Sequence, residues 1–176
     1  MIAQATELKP GDLLLLKQEK SIVHAYLREH YGTIVENIAT AVTGQQYLHV
    51  ELYLGEGWII SATVNGVKLS KYPVRTIIDN FDIFRPKFDI DEDLLVSLVD
   101  EYHNKPYDFT SLYLNIIKEI TKIFGVDFEF PYDTKFMLIC SEMVSRIYES
   151  LGVSFHDKSE YVTPQEIVDS NLFEKI

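Results

Sequence analysis

The chain has 176 residues and a formal net charge of −11, with 47% hydrophobic and 24% charged residues. That length and hydrophobic content suit one domain with a sizeable core and exclude general disorder. The acidic balance argues against nucleic acid and against anionic membranes or wall polymers, which call for clustered Lys and Arg.

In chain order, Lys9-Pro10-Gly11-Asp12 is a turn, and Leu13 to Leu16 after it reads as a short buried strand. Ser21 is a candidate helix cap, and Ile22 to Val42 carries helical spacing interrupted at Gly32 and stopped at Gly44. Tyr47 to Leu54 alternates as a strand. Gly55-Glu56-Gly57 turns it into Trp58 to Thr63, and Asn65-Gly66 turns that into Val67 to Ser70. Asp82 to Arg85 is a fourth strand, ended by Pro86. Asp91 to Asn104 is an amphipathic helix, Leu112 to Ile123 another, and Cys140 to Leu151 a third, ended by Gly152. Thr163-Pro164-Gln165-Glu166 is a capping box that opens a last short helix. The expected fold is α+β, with a central antiparallel sheet packed against helices, in one domain spanning 1–176.

Cys140 is the single cysteine, so no intramolecular disulfide forms. The first residues, MIAQATELKPGD, lack the basic and apolar regions of a secretory signal, and no apolar run is long enough to span a bilayer. The expectation is a cytoplasmic protein without stable membrane insertion.

Cys140 stands where an amphipathic helix begins. A helix N-terminus favours a thiolate and offers free N–H groups, such as those of Cys140 or Ser141, to a developing oxyanion. A thiolate nucleophile needs a base. His24, His30 and His103 fall on helices and His156 in a polar loop, whereas His49 is the one histidine on a strand. Period two puts His49, Glu51 and Tyr53 on one face and Val50, Leu52 and Leu54 on the other. Glu51 is near enough to orient His49. Ser61 and Thr63 on the returning strand are alternatives, because the register is open. No close-spaced pair of ligands points to a metal, and no cofactor is implied.

The ordered set Lys9-Pro10-Gly11-Asp12, His49 to Gly57, Lys105-Pro106-Tyr107-Asp108-Phe109, Cys140-Ser141-Glu142-Met143-Val144 and Thr163-Pro164 resembles the circularly permuted papain-like cysteine hydrolases. These form the YiiX-like branch of the NlpC superfamily. The resemblance runs from about Leu8 to Leu172. It implies a permuted papain-like (NlpC-type) fold with the nucleophile at a helix N-terminus, Cys140 as nucleophile and His49 as general base. It also implies a third polar residue, often a glutamate, on the strand after the histidine; this chain departs from that pattern and has Ser61 in the place. Where the family usually has a glycine or small residue, this chain has Glu51, so either Glu51 has taken over the orienting role or Ser61 suffices. Tyr47, Tyr107 and Ser141 fall where they would border bound substrate, and Tyr47 is equally placed for ordinary aromatic packing. Asp108 caps the next helix and Glu142 supports the helix dipole. The implied activity is cleavage of an amide bond in a short peptide or a peptidoglycan-type peptide, through a thioester. Action on a lipid or ester acyl substrate, or ligand binding without catalysis, are the alternatives. Oligomeric state is left open.

Overall fold

The computed structural model describes residues 7–17, 46–63, 66–106, 140–155 and 162–176. The expected helices around 22–42 and 112–123, together with Tyr107, Asp108, His24, His30 and His156, lie outside them.

The fold starts at the Lys9–Asp12 turn. Asp12 N–H donates to Lys9 C=O at 2.9 Å, and Gly11 has φ +89°. Proline followed by a residue of positive φ is the type II pattern. A Cβ at Gly11 would stand 2.8 Å from Ile90 Cγ1, so the close approach as well as the dihedral selects glycine. The turn delivers β1 (Leu13–Lys17), in which Leu13, Leu14 and Leu15 are fully buried. Leu13 and Leu15 join the larger core, and Leu14 joins a smaller one with Tyr53, Ile59, Ile77 and Ile83 on the opposite face. A strand covered on both faces has no polar side to show, which is why its sequence is a run of leucines instead of an alternation.

Around β1 the sheet is built from β2 (Tyr47–Gly55), β3 (Trp58–Thr63), β4 (Gly66–Lys71), β5 (Asp82–Pro86) and β6 (Phe173–Lys175), in the order β4-β3-β2-β1-β5-β6. Every neighbouring pair is antiparallel. The helices among the described residues are α1 (Val74–Asn80), α2 (Glu92–Tyr102), α3 (Cys140–Ser150) and α4 (Pro164–Asp169). Helix α2 starts at Asp91, whose side chain accepts from Leu94 N–H, and α4 starts with the expected Thr163–Glu166 capping box. Helix α3 ends as expected at Gly152: Val153 N–H reaches Tyr148 C=O and Gly152 N–H reaches Glu149 C=O, the Schellman pattern.

The sheet extends the meander read from the sequence. The fourth expected strand, β5, does not follow β4 but pairs with β1 on the far side, Leu14 opposite Ile83. The Asp12–Arg85 ion pair fastens that side: Arg85 Nε and Nη2 donate to the fully buried Asp12 carboxylate at 2.9 and 2.8 Å. Helix α1 and strand β6 were not expected. Each is short and buries a single residue, Ile77 and Phe173, too little to leave a periodic signal.

The larger core lies between one sheet face and the helices. Val50, Leu52 and Ile60 meet Cys140, Met143, Val144 and Ile147 of α3 there. Tyr148 anchors α3 to the first turn, its hydroxyl donating to Gly11 C=O. At the other end of the helix, Cys140 shares the core with Val50 of β2.

Candidate active site

Strand β2 carries the first half of the site. Its pairing with β1 slips at one point, with Leu16 opposite His49 and Lys17 opposite Tyr47, which leaves Leu48 as an extra residue directly before the histidine. Bulges of this kind bend a strand and re-aim the next side chain. His49 and Glu51 are both buried, so this face of the strand is not a solvated one.

The imidazole is held from one side by two partners. His49 Nε2 is 3.1 Å from Glu51 Oε1 and 3.1 Å from Ser61 Oγ. Glu51 and Ser61 therefore converge on the same ring nitrogen, and the two candidate orienting residues are present together. Cys140 is the third partner of the imidazole, its side chain hydrogen-bonded to that of His49. Glu51 Oε2 is buried with no hydrogen-bond partner among the described residues.

Cys140 is the first residue of α3 and is 5% exposed. Burial alone would raise its thiol pKa. The His49 charge and hydrogen bond, with the backbone N–H groups of Val50 and Ser141, outweigh this and lower it. His49 is the mirror case. Burial disfavours its charged form, but the Cys140 thiolate and then Glu51 overcome that and push its pKa up to about 10. Opposite shifts of two touching groups describe a thiolate–imidazolium pair.

The Val50 contribution is invisible in the sequence because it comes from the main chain. Tyr53 exchanges backbone bonds with Gly11 and Asp12 on the β1 side. Alternation then turns the Val50 N–H toward β3. The β2–β3 ladder stops at Leu52–Ile60, so β3 does not take this donor and it reaches the sulfur. The one available signal was its place next to His49.

Ser141 is buried, and its N–H lies at the sulfur. Tyr47 is turned to other partners: its ring packs edge-on to Phe84 at 5.6 Å and its hydroxyl donates to Asp82 Oδ2 at 2.8 Å. Burial, followed by the Asp82 bond and charge, raises its pKa. These contacts are those of a packing residue. Glu142, also buried, pairs with Arg146 one turn on, at 2.7 Å. Among the described residues no three His, Cys, Asp or Glu side chains gather as a metal site would require.

No family model matches the chain, and no curated protein does. Among solved structures it is similar to a crystal structure described as the metalloprotein yiiX from Escherichia coli O157:H7, DUF1105. The two share 13% identity, with 96% of each chain covered and a TM-score of 0.57. The chain thus has a YiiX-like α+β fold.

Proposed function

We propose that this chain is a cysteine hydrolase that cleaves an amide bond through a thioester, on a permuted papain-like scaffold of the NlpC type. The observation that carries the reading is the buried Cys140–His49 pair, with the thiol pKa lowered, the imidazole pKa raised, and Glu51 and Ser61 both on His49 Nε2.

In this reading the Cys140 thiolate attacks the substrate carbonyl carbon. The N–H groups of the first turn of α3, which have no carbonyl partner within the helix, face the oxyanion that develops. The His49 imidazolium gives its proton to the leaving nitrogen as the C–N bond breaks, leaving an acyl group on sulfur and a neutral imidazole. Neutral His49 then takes a proton from water, whose oxygen attacks the thioester. The carboxylic acid leaves and the thiolate–imidazolium pair is restored. Glu51 stabilises the charged imidazole and Ser61 fixes its ring plane.

The description of the similar structure names a metalloprotein. His49 is already engaged by Glu51 at 3.1 Å and by Cys140, and the described residues contain no group of His, Cys, Asp or Glu arranged to hold a metal ion. No step is assigned to a metal.

Intact-mass spectrometry after mixing with a p-nitrophenyl acyl ester tests the reading. The expected result is one acyl adduct on Cys140 that hydroxylamine removes, absent in Cys140→Ala and slowed in His49→Ala. Acylation that is equal in wild type and His49→Ala would overturn it.

A further inference from the structure

A second feature lies away from the dyad. A groove of about 260 Å³ opens between the sheet and α2, lined by Leu54, Trp58, Leu69, Val96, Val99 and Asp100. Trp58 is 40% and Val96 58% exposed, so two large apolar side chains face water there. Leu54 is five residues along β2 from His49, roughly 17 Å at the rise of a strand.

Beside the groove runs β4, an edge of the sheet. Its hydrogen-bonding sides follow from its register. Gly66 pairs with Thr63, and Tyr72 N–H donates to Gly57 C=O at 2.9 Å. Even-numbered residues therefore bond β3, while Val67, Leu69 and Lys71 turn their N–H and C=O groups outward. Those of Val67 are both used: its N–H donates to Lys105 C=O at 2.8 Å, and its C=O accepts from Asn104 N–H at 3.0 Å. Those of Leu69 and Lys71 have no partner among the described residues.

An apolar groove alone would suit many occupants. One flanked by alternating backbone donors and acceptors that no described residue pairs suits another strand. Asp100 adds charge to the match: it is exposed in the groove wall and makes no ion pair among the described residues. We propose that the β4 edge and this groove dock an extended peptide segment of another protein. The segment adds beside β4, bonds Leu69 and Lys71, places a branched apolar side chain between Trp58 and Val96, and brings a cationic side chain to Asp100. The site is separate from Cys140, so its test reads binding and not turnover.

The probe is a capped heptapeptide alternating threonine and valine, with leucine at its centre and lysine next to it, titrated into the full ¹⁵N-labelled chain. Saturable shifts are expected at the Leu69 and Lys71 amides and the Trp58 indole. Methylating alternate peptide nitrogens, which needs no change to the protein, is expected to weaken binding at least about tenfold, and Val96→Asp to do the same. Absence of saturable binding overturns the proposal, as does binding indifferent to N-methylation. Sedimentation that shows a dimer through β4 also overturns it, because the edge then belongs to a second copy.

Discussion

Glu51 and Ser61 make equal contacts with His49 but differ in kind. Glu51 brings a charge, and charged hydrogen bonds are about twice as strong as neutral ones. Its carboxylate raises the imidazole pKa, whereas Ser61 is absent from the causes of that shift. Glu51→Gln keeps the shape and removes the charge. It is expected to lower kcat/KM by about tenfold to hundredfold and to return the thiol pKa toward that of an ordinary cysteine. Ser61→Ala removes an uncharged acceptor from a ring N–H that Glu51 still holds, a loss of about 1 kcal/mol, or about fivefold in rate. A large loss in Ser61→Ala with none in Glu51→Gln would reverse the assignment. His49 and Cys140 were legible in the sequence because one stands on a strand and the other at a helix start. The choice between Glu51 and Ser61 was not, because it depends on a cross-strand register. The Val50 N–H was not legible either, since any residue but proline supplies the same donor.

At the scale of elements, β2 and β3 depend on the turn that joins them. Gly57 has φ +82°, and a Cβ there would stand 2.3 Å from the Tyr72 carbonyl oxygen. The same stretch holds the Tyr72 N–H to Gly57 C=O bond and the Gly57 N–H to Tyr53 hydroxyl bond. Gly57→Ala is expected to destabilise the fold by about 2–3 kcal/mol, read as a lower urea midpoint, since positive φ and backbone overlap add. A midpoint within error of wild type would show that the hairpin shifts freely. The hairpins, α2, α3 and α4 were legible because each has a local signal: a Gly-containing turn, a cap or an apolar stripe. The place of β5 had none. Its pairing with β1 is fixed by Leu14–Ile83 and Asp12–Arg85, contacts between residues about 70 apart in sequence, and period says nothing of neighbours.

For the whole molecule, the dyad is a product of the fold. Cys140 and His49 are distant in sequence and meet only because α3 packs on β2, with Tyr148 tied to the Gly11 carbonyl. At the site the imidazole stands between two acidic partners, the Cys140 sulfur and the Glu51 carboxylate. The described helices include none long and apolar enough to cross a membrane. Reactivity at Cys140 should therefore follow the folded state and the nearby histidine, not the composition of the chain.

The rate of Cys140 alkylation by iodoacetamide against pH tests this most directly, in wild type, in His49→Ala and in wild type unfolded by urea. A lowered thiol pKa beside an imidazole titrating at about 10 puts the reactive pair between those two values. The folded wild type is therefore expected to react fast at neutral pH with a rate nearly flat through about pH 8.5, where an ordinary thiol is still ionising. His49→Ala and the unfolded chain are expected to show the ordinary rise. A wild-type thiol that reacts only when unfolded, or one whose profile His49→Ala leaves unchanged, would contradict the account.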